Sequence, residues 1–385
     1  MKNFSFLSIF YYSVLCLTDD NRQPATSIRH DLLWNYDRLN RPVRKRTTVT
    51  SVLYDAYLYQ LVGFNSKEQS IELLIFQFLI WHDEFLEWNP ANYSGIEQIR
   101  VFQNQIWIPD VLPYNEIGNF DYNKFGDIVP LTVKASGHVF WSQPVNMETS
   151  CSMDVTNFPF DSQSCEIAVG SWQYYKDELK MYCKDELNLS EYIPDSLWVL
   201  QETSCRERTT ESFSDAVITV TFKRLPTYFV INLVIPTVLL LGISSLTFFI
   251  PGEIGEKLSY GVTVTLSLCV NLTIFTDFMP MTSKTFPRLF TYILSSIILS
   301  CMSMVLATIS VNFVQLSKNS KDEDKIPGFK APFTDRALNE LADRVCSNTT
   351  QKKMTRLRKV DTVIGFIYLL GVTIYSVTFF LSISL

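Results

Sequence analysis

Apolar positions recur along this chain in three different ways, and each predicts a different kind of element. Met1 to about Leu17 reads MKNFSFLSIFYYSVLCL, a basic start followed by an apolar run too short to span a bilayer easily. That is the form of a secretory signal peptide (1–18), cleaved near Cys16 to Thr18. From about 19 to 224 there is no spanning run. Stretches such as Ala216 to Phe222 (AVITVTF) instead alternate with the period of two expected of strands with one buried face. Turn signals separate them at Asn89-Pro90, Ser94-Gly95 and Ser136-Gly137. Many strands at short spacing predict an all-β, Ig-like sandwich. Ile28, Leu32 and Leu33 share a helical face, so a short helix over about Ser27 to Tyr36 is expected ahead of it.

Four long apolar runs follow, each meeting the roughly 20 residues a bilayer core requires. They cover about Leu225 to Ile250, Lys257 to Met279, Phe290 to Phe313 and Val363 to Leu385, with Pro236 inside the first. Between the third and fourth, Ser317 to Val360 carries eleven Lys/Arg against six Asp/Glu, a net +5 in a chain of net −6. That asymmetry places the stretch in the cytoplasm. The expected organisation is an external domain (19–224), three membrane helices (225–316), a cytoplasmic loop with a basic helix (317–360) and a fourth helix (361–385). Both termini then lie outside.

Composition narrows the class. Charged residues make up 19% and the mean hydropathy is +0.10, so much of the chain belongs in lipid. A net negative charge argues against a nucleic-acid partner, whose binding rests on Lys and Arg at phosphates. Three histidines and no HExxH, Walker or GxSxG pattern leave neither a metal set nor a nucleophile–base set, so no cofactor, metal or enzymatic role is expected. Of eight cysteines, Cys151, Cys165, Cys183 and Cys205 fall in the external domain, where disulfides persist. Cys151 and Cys165 enclose thirteen residues with Phe158-Pro159-Phe160-Asp161 at the tip, an apolar tip with one carboxylate.

The second run is more polar than the others. Ser259, Thr263, Leu266, Val270, Ile274 and Asp277 recur at steps of three or four and share one helical face. Hydroxyls lie at the inner end, aliphatics in the middle and acids at both ends, with Glu256 at the inner mouth. Several copies about an axis would form hydroxyl rings, a hydrophobic constriction and two charged rims. Carboxylate rings favour cations, monovalent ones being the expected cargo, and hydrophobic constrictions close by dewetting. Lys257 should turn away from the axis or snorkel. Asn271 lies one step off the stripe with no assigned role.

The cysteine loop with FPFD followed by four spans resembles the Cys-loop receptors, the pentameric ligand-gated ion channels. Trp81 to Pro90 (WHDEFLEWNP), Ile106 to Asp110 (IWIPD), Gly170-Ser171-Trp172 and Gly255-Glu256-Lys257 are further matches. Within the family the chain is most similar to nicotinic acetylcholine and serotonin type 3 receptors. The resemblance implies a homo- or heteropentamer with four further like or related subunits, a Cys151–Cys165 disulfide, and a hydrophobic gate at Leu266 and Val270. It also implies a small-molecule site between neighbouring external domains. Tyr114, Trp172 and Phe213 would form the principal face, and Phe76, Trp141 and Val139 the complementary one.

An aromatic cage suits an organic ammonium. The hairpin ending in Phe213, however, reads Ser204 to Thr209 (SCRERT) and lacks the adjacent cysteine pair of acetylcholine-binding subunits. Its cationic tip opposes an amine, leaving an anionic or zwitterionic ligand, or none, as alternatives. Cys205 is expected to be free, with Cys183 as the alternative partner. For coupling, the Phe158–Asp161 tip, the Lys67-Glu68 turn and Met281 to Pro287 should meet, with Arg224 as partner of Asp161. Sequons at Asn92 and Asn188 would be glycosylated.

Overall fold

The computed structural model describes residues 24–117, 129–250, 256–280, 286–323 and 336–384. The expected signal peptide and residues 281–285 of the expected coupling segment lie outside them. The described chain divides into two compact units, one of strands and one of helices, with Asp154–Ser162 grouped with the helices.

The β unit opens with helix α1, Pro24–Leu33, whose Ile28 is fully buried. Ten strands follow: β1 Thr50–Asn65, β2 Ser70–Glu87, β3 Gln98–Val101, β4 Val111–Pro113, β5 Leu131–Lys134, β6 Ser136–Ser150, β7 Ser162–Ser171, β8 Leu179–Cys183, β9 Trp198–Thr209 and β10 Ser214–Arg224. They form a six-stranded sheet in the order β3-β5-β6-β2-β1-β8 and a four-stranded sheet in the order β4-β7-β10-β9. In β2 the odd positions Ile71 to Trp81 are buried and the even ones half-buried, the period-two signature of a sheet packed on one side. Trp81 and Trp107, the tryptophans of two sequence motifs, meet edge-to-face at 6.1 Å in that core. Their part in the motif is packing.

Cys151 and Cys165 are bonded. Cys205 is not free: it is bonded to Cys183. This overturns the free-thiol expectation, because β8 at the edge of one sheet and β9 at the edge of the other bring Cα atoms 22 residues apart to 6.2 Å. Among the described residues Cys269 and Cys301 are free thiols.

The helical unit has four helices long and apolar enough to cross a membrane: Thr227–Phe248 (α2), Glu256–Asp277 (α3), Arg288–Phe313 within Arg288–Glu323 (α4), and Arg358–Ser382 within the 49-residue Arg336–Ser384 (α5). Helix α2 is irregular, with a π-helical segment at Val230–Val234 just before Pro236, whose missing N–H breaks the regular ladder. Asn271 of α3 spans this irregularity. Its amide is buried and donates to Thr237 Oγ1 at 2.6 Å and to the Leu233 carbonyl at 3.4 Å. The polar group that the pattern left unexplained therefore ties α3 to the distorted turn of α2.

Candidate functional site

Of the sequence-predicted ligand residues, Tyr114 and Trp172 are brought together by short-range chemistry. Asp110 accepts from Ser171 Oγ (2.6 Å) and from the Gln173 amide (2.7 Å), and its carbonyl accepts from the Trp172 amide. This fixes the turn after β7 and presents the Trp172 ring at 67% exposure. The Tyr114 hydroxyl donates to the Ser171 carbonyl at 2.7 Å, and the two rings lie 6.3 Å apart. Gly170 makes this approach possible, since a Cβ there would lie 2.5 Å from the Tyr114 hydroxyl. Burial and the neighbouring Asp215 carboxylate push ionisation of Tyr114 well above its ordinary range, so it remains a phenol and a donor. Phe213 stacks on Tyr175 at 5.4 Å and 23°.

The hairpin arginines are both ion-paired. Arg206 reaches Glu166 at 3.1 Å, and Arg208 reaches Asp215 through Nε (2.9 Å) and Nη2 (2.8 Å). The pattern of the chain gives no sign of Asp215 as the partner of Arg208.

The complementary set does not assemble as expected. Phe76 stands on the outward side of β2, opposite Pro144 and edge-on to Tyr59. Val139 is fully buried, and Trp141 shares its side of β6, opposite the buried Leu79. The three residues thus divide between the two sides of one sheet. Successive strand residues face opposite ways, so a carry-over displaced by one position changes side. The β6 residues on the Phe76 side are Phe140, Ser142 and Pro144.

Helix α3 has two unlike faces. Glu256, Ser259, Thr263, Leu266, Val270, Ile274 and Asp277 are all exposed, Leu266 at 62%. Lys257, Gly261, Val264, Leu268, Asn271 and Phe275 are buried. Lys257, the one basic residue of the helix, turns back from the exposed face, and its Nζ reaches Asp361 of α5 at 2.9 Å. Ser310 of α4 donates to the same carboxylate.

Arg224 forks onto Asp161, Nε to Oδ1 at 2.8 Å and Nη2 to Oδ2 at 3.1 Å, with both side chains buried. The guanidinium also lies 4.9 Å from the Phe158 ring and 5.4 Å from Phe229. Phe158, which precedes the cis-linked Pro159, packs on Phe229 and Phe275. Phe160 is partly exposed and lines a shallow apolar groove with Val230, Leu239 and Phe380. Lys67 and Glu68 are exposed on the β1–β2 turn, where their amides are held by Asn65. Asn92 and Asn188 are both exposed.

These features describe a membrane receptor: a β-sandwich carrying an aromatic hairpin face, then four apolar helices, one of them with an ordered polar stripe. Two family models match the chain, the neurotransmitter-gated ion-channel ligand binding domain over residues 25–226 and the neurotransmitter-gated ion-channel transmembrane region over 233–362. The chain belongs to the neurotransmitter-gated ion channels, a family of multi-pass plasma-membrane receptors rather than enzymes.

Similar proteins include the acetylcholine receptor subunit beta-like 1 of Drosophila melanogaster, 29% identical over 80% of this chain and 60% of the relative. The acetylcholine receptor subunit beta-type unc-29 of Caenorhabditis elegans is 30% identical over 80% and 62%. The neuronal acetylcholine receptor subunit alpha-6 of Mus musculus is 31% identical over 80% and 62%. The chain thus spans about three-fifths of the length of the curated relatives it matches.

Proposed function

We propose that the chain is one subunit of a pentameric, ligand-gated, cation-selective channel, its pore lined by α3. The observation that carries this reading is the division of α3 into two faces. The residues selected by spacing alone are all on the exposed side, in the order acid, hydroxyls, aliphatics, acid. A helix that only anchored the chain would gain nothing from that order. Around a five-fold axis, Glu256 and Asp277 supply two carboxylate rims that attract cations, and Leu266 and Val270 a constriction able to dewet. The ion pair to Asp361 supports the same selectivity, because it holds the one cation of α3 away from the exposed face.

In this reading residues 1–18 are a signal peptide, Asn92 and Asn188 carry glycans, both termini are external, and 317–360 are cytoplasmic. Asp161, Arg224 and Phe158 form the coupling clamp at the foot of the cysteine loop. A second reading is favoured by the ion-paired arginines of the hairpin: the chain works beside related subunits that supply a different hairpin face.

Expressing the full chain alone and recording from wild type and Leu266→Thr tests both readings. A hydroxyl at the constriction should wet it, giving a standing cation-selective current in the variant. Surface pentamers that carry no current would overturn the self-sufficient channel and leave the heteromeric subunit. A standing current selective for anions would overturn the role given to Glu256 and Asp277.

A further inference from the structure

Thr210 and Phe213 close the β9–β10 turn, the Thr210 amide donating to the Phe213 carbonyl (2.8 Å) and the Phe213 amide to Thr210 Oγ1 (2.9 Å). Two residues beyond this closing pair stand Arg208 on one strand and Asp215 on the other. Directly opposite side chains of an antiparallel hairpin meet. Both Arg208 nitrogens that reach the carboxylate fall on the same oxygen, Oδ2. The Asp215 side chain is 2% exposed and that of Arg208 is 38% exposed. The other oxygen, Oδ1, is buried without a hydrogen-bond partner. It adjoins the Tyr114 hydroxyl, for a Cβ on Gly170 would lie 2.5 Å from that hydroxyl and 3.2 Å from Oδ1.

A buried carboxylate with a spare oxygen, next to the Tyr114 hydroxyl, is a counter-charge that would favour an organic ammonium on an aromatic surface. Asp110 and Glu166, two further acids of this region, are committed elsewhere. Asp110 holds Ser171 and Gln173, and Glu166 holds Arg206. The charge of Asp215 is already answered from within the hairpin.

We propose that Arg208 sets the ligand class of this face. As a tethered cation it neutralises Asp215, so the Tyr114–Trp172 surface excludes organic ammonium ligands, and removing the guanidinium turns the same surface into an ammonium site. The inference rests on reading this surface as a ligand face. It adds to that reading a single residue that decides which ligands enter.

Saturation-transfer NMR with tetramethylammonium on the purified full chain tests it. The method detects millimolar binding and so needs no neighbouring subunit, while light scattering on the same sample reports assembly. Arg208→Gln should bind the probe at least about tenfold more tightly than wild type, a difference of about 1.4 kcal/mol. Adding Asp215→Asn or Trp172→Ala to that variant should abolish the gain, and Arg208→Lys should behave as wild type. Arg208→Met, which keeps the aliphatic stem, repeats the comparison should the glutamine variant fold poorly. The proposal is overturned if neither neutral variant gains binding, if wild type binds equally well through Trp172, or if the gain survives Asp215→Asn. A chain that stays monomeric overturns the self-sufficient homopentamer and leaves the Arg208 comparison intact.

Discussion

Two arginine–aspartate pairs, built from the same groups, hold opposite ends of β10 and are engineered differently. At the foot of the strand, Arg224 meets both oxygens of Asp161, both partners are buried, and two phenylalanine rings close over the guanidinium. At the hairpin end, Arg208 meets one oxygen of Asp215, remains partly in solvent and leaves the second oxygen unused. The first arrangement satisfies both partners and resists change, because separating them strands a charge away from water. The second is half-open, and one partner is reachable from outside. A fold can thus use one chemistry as a rivet and as an adjustable contact, with burial and the number of oxygens engaged deciding which.

A third buried acid sharpens the contrast because it has no arginine. Asp83 is fully buried and accepts from the Tyr36 hydroxyl (2.6 Å) and the Phe85 amide (2.9 Å). Burial pushes its carboxyl up to about 6, while the bond from Tyr36 opposes the shift.

The largest expected effect is at the rivet. Arg224→Ala takes the guanidinium away from the buried Asp161 carboxylate, which costs about 3–5 kcal/mol, and should nearly abolish surface delivery, read by antibody labelling of intact cells. If Arg224→Ala reaches the surface at wild-type levels, the rivet description fails. Next comes Asp83. A carboxyl raised in the folded state favours folding when protonated, so its contribution is present below the ordinary carboxylate range and lost as pH rises through about 6.

Melting temperatures of purified wild type should therefore fall between pH 4.5 and 7 relative to Asp83→Asn, by an amount worth about 2 kcal/mol. Parallel profiles would refute the assignment. The smallest effect is at the hairpin. Arg208→Gln still donates to Oδ2 from a partly solvated position, so it should lower stability by only about 1–2 kcal/mol. Thermal melting beside Arg224→Ala checks the ranking, and a loss as large as that of Arg224→Ala would erase the distinction between the two ends of β10.

The sequence pattern reached far into this molecule where periodicity carries the information. Four apolar runs and a stripe at steps of three and four are readable because a helix repeats every 3.6 residues and each residue's face follows from its own spacing. That Ser259, Thr263, Leu266, Val270, Ile274 and Asp277 share one exposed face of α3 is legible from their spacing. Strands do not allow this across the sheet. Alternation in β2 and β6 could be read within each strand, but which side of β6 faces the side of Phe76 depends on register, a fact about pairing. That is why Val139 and Trp141 were placed beside Phe76 when Phe140 and Ser142 share its side.

The Cys183–Cys205 bond was hidden for the same reason, since 22 residues of separation say nothing about two sheet edges meeting. Asn271, Asp361 and Asp215 are not legible as partners because each acts on a side chain of another element, whose facing side the spacing of its own element does not give. Lys257 could be predicted to turn away, but not toward what.

One consequence remains in helix α5. At 1.5 Å per residue its 49 residues run about 73 Å, against a hydrocarbon core of about 30 Å. The segment Arg358–Ser382 accounts for the crossing, and the turns from Arg336 onward project as an unbroken rod beyond it. Asp361 stands almost at the fulcrum of that rod, gripping Lys257 of α3. The turns ahead of the apolar segment therefore run without a break into the one whose Asp361 carboxylate holds both Lys257 of α3 and Ser310 of α4, so that a displacement of the rod would be felt by two neighbouring helices at a single side chain.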